Sequence, residues 1–324
     1  MPLYATRPTV TVVDQLQSVP VVVTGAAGFV GANLIQALTE KCEASVVGVV
    51  RPTSDLSRLR RMGGRARIVS RDLAEVDPSE LAELVGPAQT VFHLAAAGIH
   101  ARISPTELVA ANVRGTAAAL ELANCIGARR FVYAGSCFEY GDAAHAREDG
   151  PLQPTSEYGA SKVAGGLMAQ AVGRQTGLEV AWLRLYTVYG PLERPARLVP
   201  SVLMSALTRR PLGLTGGDQG RDFLYVDDAV DALIVAAVAE AAAGELFNIC
   251  TGVETKVREL VELVSEITNS PVPALLGERP YRSDEMWHQS GDPARAAEVL
   301  GWRARVTLRD GLVRTMAALQ GSES

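Results

Sequence analysis

Tyr158 and Lys162 are the residues whose types and spacing most directly imply chemistry. They stand four apart in Tyr158-Gly159-Ala160-Ser161-Lys162, so on a helix a phenol and an ammonium share one face and can act on one atom. With eight tyrosines and three lysines in 324 residues, this pattern arises by chance only about 0.07 times. A free phenol titrates near ~10, and a neighbouring cation favours its phenolate. Lys162 is therefore expected to supply the field that lets Tyr158 exchange a proton near neutrality.

A second signal lies in Val21-Val22-Val23-Thr24-Gly25-Ala26-Ala27-Gly28-Phe29-Val30-Gly31, an aliphatic run entering glycines at 25, 28 and 31. Without Cβ atoms such a turn lets a pyrophosphate reach backbone N–H groups at the positive end of the following helix. Thirty glycines produce this spacing by chance, but the strand before it and the helix pattern behind it make it a dinucleotide signal. The second aliphatic run ends Val49-Val50-Arg51-Pro52, where an NAD-selective protein carries an acid for the ribose hydroxyls. Arg51 instead suits a 2′-phosphate, a contact worth roughly 1.5–3 kcal/mol, so NADP(H) is expected, with NAD(H) as the alternative.

The elements that must position these groups follow from periodicity. Short aliphatic runs predict strands at Val21–Thr24, Val46–Val50, Arg67–Ser70, Thr90–Leu94, Phe131–Tyr133 and Val180–Leu185, alternating with helices near Gly28–Glu40, Pro78–Val85, Thr106–Cys125 and Glu157–Thr176. Repeated βαβ units with right-handed crossovers give an α/β fold, a doubly wound parallel Rossmann sheet with a smaller C-terminal substrate-binding lobe. Residues 1–190 are assigned to the dinucleotide domain, with returns near 222–250 through a helix at Asp227–Glu240 and a strand at Leu246–Ile249. Residues 191–324, irregular and rich in proline at 191, 195, 200 and 211, form mainly the discontinuous substrate lobe.

A formal charge of -5 and 21% charged residues give no broad basic surface for nucleic acid or anionic membrane. No apolar run approaches the ~18 residues of a membrane span, and Met1–Pro20 lacks a secretory pattern, so a cytoplasmic location is expected. Cys42, Cys125, Cys137 and Cys250 are too scattered for a metal site or disulfide framework; three are read as core filler and no metal is expected.

The GxxGxxG spacing resembles that of extended short-chain dehydrogenases/reductases, and the resemblance runs from about Val21 to Trp302. It implies that Gly25, Gly28, Phe29, Val30 and Gly31 surround the pyrophosphate and that Asp72 and Leu73 contact adenine. Leu94, Ala95 and Ala96, in His93-Leu94-Ala95-Ala96, would line the cofactor with Asn112 and Tyr186, while Tyr158 and Lys162 reach the nicotinamide ribose. In Ser136-Cys137-Phe138-Glu139-Tyr140-Gly141, alignment on the closing Tyr-Gly gives Ser136 the catalytic hydroxyl that bonds the substrate oxygen, with Cys137 beside it. The long Ala-rich helices resemble those that pair in a homodimer.

Arg184-Leu185-Tyr186-Thr187-Val188-Tyr189-Gly190-Pro191 resembles the strand end of nucleotide-sugar epimerases, dehydratases and reductases, with Thr187 where the family has Asn. Val199 is placed in the same cleft, and Arg221 and Arg282 resemble the family's diphosphate-binding arginines. The implied substrate is a dTDP-, UDP-, GDP- or CDP-linked sugar. A 4,6-dehydratase would need an acid and a base where this chain has Cys137-Phe138; a thiol titrates near 8.5, and Glu139 on an alternating strand would face away. Arg51 then favours reduction of a 4-keto-6-deoxy sugar by NADPH, and epimerisation with retained NAD is the alternative. A ketone or flavonol-type reductase and a non-catalytic dinucleotide sensor are the readings outside sugar chemistry.

Overall fold

The computed structural model describes residues 15–61, 65–98 and 103–321, so most of Met1–Pro20 lies outside the described residues. Seven segments, β1 (Pro20–Thr24), β2 (Ser45–Val50), β3 (Arg67–Ser70), β4 (Thr90–His93), β5 (Arg130–Ser136), β7 (Glu179–Leu185) and β11 (Leu246–Ile249), pair in parallel in the order β3-β2-β1-β4-β5-β7-β11. Strands buried on both faces read as continuous aliphatic runs, and their side chains alternate between two cores. Val21 and Val23 enter one core with Phe92, Val132 and Leu183. Val22 enters the other with Val91, Phe131, Tyr133 and Trp182.

Helices cover both faces. α1 (Phe29–Glu40), α2 (Ser57–Arg61), α3 (Pro78–Val85), α4 (Pro105–Val109), α5 (Gly115–Cys125), α6 (Glu157–Thr176), α7 (Leu198–Thr208) and α8 (Val226–Val238) follow in chain order, and a π-helical turn, Ala110–Arg114, joins α4 to α5. α1 packs against α8 on one face, while α3, α5 and α6 pack together on the other. Caps set the ends: Asp77 accepts Ser79 N–H at 2.8 Å with Pro78 next to it, and Ser156 accepts Gly159 N–H at 3.2 Å to start α6. Strand order runs outward in opposite directions from β1 and β4, which opens a crevice at the carboxyl edge of the sheet.

The tract after Gly190 is more regular than its prolines suggest. Besides α7 it holds α9 (Val257–Ile267), α10 (Ala294–Val299) and α11 (Leu308–Gly321), none foreseen from sequence. Pro200 sits in the first turn of α7, where its missing N–H has no intrahelical partner to lose. Small sheets complete the tract: β8 (Thr187–Tyr189), β10 (Gly220–Tyr225) and β12 (Glu254–Lys256) form one, β9 (Leu212–Gly213) pairs β13 (Ala274–Leu275), and β6 (Ala143–Ala146) pairs β14 (Gln289–Gly291). Among the described residues no helix is long and apolar enough to cross a membrane.

Gly166, on the inner face of α6, lets the Trp182 indole lie against the helix backbone, and a Cβ there would overlap the ring. Gly166→Ala is expected to cost about 1–3 kcal/mol despite alanine's better helix propensity. An unshifted urea midpoint would show that the indole can move aside.

Candidate active site

The glycine loop leaves β1 at the crevice. Gly25 has φ +69°, and a Cβ there would stand 2.6 Å from Ala95 N, while one on Gly31 would overlap the Gly25 carbonyl. Gly28, the N-cap of α1, offers no side chain, so the helix's positive end is open to an anion. These features fit a dinucleotide pyrophosphate. Thr24 ties the two central strands: its Oγ1 accepts Ala95 N–H at 3.3 Å and contacts His93 Nδ1 at 2.8 Å. His93 Nε2 meets Thr116 Oγ1 at 3.0 Å, and burial, aided by the Lys162 charge, pushes its pKa down to about 3, so the ring is a neutral strut.

Phe29 and Val30 begin α1 half-buried beside the loop; Leu94 and Ala95 are half-buried and Ala96 exposed after β4. Asp72 Oδ1 accepts Ala74 N–H at 2.9 Å and so closes the turn after β3, with Leu73 buried beneath it. Arg51 is exposed just beyond β2, whose Val49 carbonyl accepts Ala26 N–H at 3.4 Å. Asn112 lies in the π-turn, where it accepts Ala97 N–H at 2.6 Å and donates to Ser161 Oγ at 2.9 Å. It joins the post-β4 loop to the helix of the Tyr/Lys pair.

Ser136 ends β5, and its hydroxyl lies near enough to the Tyr158 phenol, in the first turn of α6, to favour the phenolate. Phe138 meets the Tyr158 ring edge-on at 5.7 Å. One turn on, Lys162 is 3% exposed, with Nζ 4.3 Å from the Tyr133 ring centroid. Burial pushes Tyr158 up to about 12, against the Ser136 hydrogen bond and the Arg197 charge. Burial also pulls Lys162 down to about 8, with Glu139 opposing. Removing the phenolate from water outweighs the nearby positive charge, so in this structure the phenol's pKa stands above its ordinary value, not below it.

A further correction concerns the turn after Ser136. Cys137–Glu139 forms a 3-10 turn, not an alternating strand, so Glu139 points down into the protein. Its carboxylate is fully buried and paired with Arg184 at 2.5 Å. Cys137 is buried, and burial pushes its thiol up to about 12, so it holds its proton. Cys42 and Cys250 are also buried and Cys125 is exposed.

Of the residues expected on the substrate side, Thr187 Oγ1 donates to Gln289 Oε1 at 3.1 Å, and Gln289 Nε2 is buried with no partner. Val199 is buried in α7. Arg221 donates to the Met286 carbonyl at 2.8 Å and pairs with Glu285 at 2.7 Å, while Arg282 is exposed on the same segment. Tyr186 is buried with Cys137, Tyr140 and Cys250, its hydroxyl unpartnered.

Sequence reasoning missed Arg58, whose Nε donates to Leu192 O at 2.8 Å and Nη1 to Ala27 O at 3.4 Å, fastening the glycine loop to the tract after Gly190. Asn33 adds a bond to Pro191 O at 3.4 Å. No local motif marks either residue, because both partners are backbone carbonyls of distant segments. Glu139 was seen but read as pointing away; its signal was the coincidence of a lone acid with Arg184 two strands' sequence apart.

A phenol, an ammonium and a hydroxyl meet at the carboxyl edge of the sheet whose central turn fits a pyrophosphate, which is the arrangement of the extended short-chain dehydrogenases/reductases. Residues 21–250 match the NAD dependent epimerase/dehydratase family, and the chain belongs to that family. A UDP-glucose 4-epimerase of Mycolicibacterium smegmatis is 32% identical over 311 residues, covering 91% of this chain and 96% of that one. Among solved structures, a UDP-glucose 4-epimerase of Thermotoga maritima with UDP-glucose superposes with a TM-score of 0.86 at 27% identity, covering 94% and 100% of the two chains. MoeE5 in complex with UDP-glucuronic acid and NAD gives 0.83 at 32% identity, covering 94% and 99%.

Proposed function

We propose that this chain is a sugar-nucleotide 4-epimerase that inverts C4 of a UDP-linked hexose with retained NAD. The carrying observation is an acid–base site, Ser136, Tyr158 and Lys162, whose adjoining turn offers no acid and base for an elimination: Cys137 keeps its proton, Phe138 has none, and Glu139 is engaged by Arg184. Such a site serves reversible oxidation at one carbon, not elimination across two. The relatives that act on UDP-glucose support the choice of substrate.

Bound NAD would supply a reversible hydride acceptor. The chain does the rest. Ser136 holds the C4 oxygen, Tyr158 takes its proton and later returns it, and Lys162 holds the charge that this exchange leaves behind. Arg221, preset by Met286 and Glu285, and exposed Arg282 are assigned to the diphosphate. The Arg58 and Asn33 bonds span the cofactor loop and the second tract, as a dinucleotide that stays bound requires. Val109 and Leu167, more than half exposed on α4 and α6, support the homodimer expected by resemblance.

Exposed Arg51 favours a second reading, NADPH-dependent ketoreduction. One experiment separates the two. Incubated with UDP-glucose and no added cofactor, the purified chain is expected to form UDP-galactose, and acid-denatured protein is expected to release NAD. The relative solved with UDP-glucuronic acid and NAD makes UDP-glucuronic acid the second substrate to supply. Release of NADP, with NADPH consumed on a 4-keto sugar and no inversion, would transfer the assignment to the reductase; inertness in every arm removes both.

A further inference from the structure

The Glu139 carboxylate lies beneath the site and takes no part in the chemistry described so far. One oxygen accepts the Ser136 backbone N–H at 2.8 Å and the Trp182 indole N–H at 3.3 Å, and the other accepts Arg184 Nε at 2.5 Å. Arg184 is 1% exposed, lies over the Tyr140 and Trp182 rings at 4.4 and 4.7 Å, and has one buried nitrogen, Nη1, without a partner. Gly135 admits the carboxylate: a Cβ there would stand 2.6 Å from Glu139 Oε1 and overlap the indole nitrogen. A buried ion pair adds little stability over packed apolar side chains of the same volume, so stability alone does not account for it.

We propose that Glu139 is a positioning residue of the acid–base site, holding the Ser136 main chain in place and serving as the fixed counter-charge of the buried Lys162 ammonium. The Tyr133 ring and the neutral His93 ring also face this cation, and neither carries a negative charge at neutral pH. Glu139 itself is faced by Arg184, Lys162, Cys137, Tyr133 and Tyr158; burial pulls the carboxyl toward its neutral form, and the Arg184 charge and hydrogen bond oppose this. Its negative charge favours retention of the proton on both Lys162 and Tyr158. Glu139 thus sets where on the pH scale the pair works, as well as where its atoms lie.

The inference rests on the acid–base reading of the pair but not on which sugar is turned over, so its first test needs no turnover. In protein carrying 13C-labelled lysine, Lys41→Arg and Lys256→Arg variants identify the Lys162 signal among the three lysines. Glu139→Gln is expected to lower the Lys162 midpoint by one pH unit or more, and Glu139→Asp by less. Should Glu139→Gln not fold, Glu139→Gln with Arg184→Gln removes both charges and is expected to lower the midpoint in the same direction. Where turnover is measurable, both limbs of its pH profile are expected to move to lower pH. An unchanged Lys162 midpoint in folded variants, or a profile that loses height without moving, would overturn the proposal and leave Glu139 a packing residue.

Discussion

Tyr158→Phe is expected to lower turnover by about 10²–10⁴-fold, the range that a positioned proton-transfer group contributes. Dinucleotide affinity should change far less, because the Gly25 turn and the open end of α1 are built from backbone. The phenylalanine ring keeps its edge-on contact with Phe138 and loses only the hydroxyl beside Ser136, so the fold should survive. Because burial holds the Tyr158 pKa near 12, the free chain carries a neutral phenol at pH 7, and the phenolate must be favoured once ligands complete the site. The wild-type phenol titration, read from its absorbance with and without bound dinucleotide, should therefore move to lower pH on binding, a signal that Tyr158→Phe abolishes. Turnover within tenfold of wild type in the variant would remove the phenol from the mechanism.

Lys162→Met should separate activity from stability. The ammonium is buried, and its folded pKa of about 8 lies below the 10.5 of the unfolded chain. The unfolded state then binds more protons between those values, so wild-type stability rises with pH across the window. Below pH 8 the buried charge carries its full cost, roughly 3 kcal/mol for a shift of this size. Methionine keeps the unbranched stem without the charge, so the variant should be more stable by up to that amount at pH 7. The difference should shrink above pH 8 and vanish beyond 10.5. Turnover should fall by about 10²-fold or more, since the proposed acid–base pair loses its cation. Denaturant midpoints at pH 7 and 10 test this; equal midpoints at pH 7 would mean that the ammonium is better solvated than its position over Tyr133 implies.

The dinucleotide half of the chain was legible because its signals are local. A strand with both faces buried is a continuous aliphatic run, as in β1, and a helix that packs on one side shows its period, as in α3 and α6, whose boundaries match expectation at both ends. Beyond Gly190 the same reasoning failed for α7, α9, α10 and α11, because proline was read as a breaker where α7 places it in a first turn. The candidate site divides in the same way. Tyr158 and Lys162 belong to one helix, so their spacing alone places them together.

What only the folded chain decided are the relations between residues far apart in sequence. The amino-acid order alone determined the parallel α/β architecture, the glycine turn and the phenol–ammonium pair, each built from contacts within a turn or two of backbone. Tertiary packing decided that Glu139 faces Arg184 beneath Ser136, that Arg58 reaches the Ala27 and Leu192 carbonyls, and that the phenol holds its proton in the free chain. Desolvation and charge pairing depend on what surrounds a group from every side, and no window of sequence contains that surrounding.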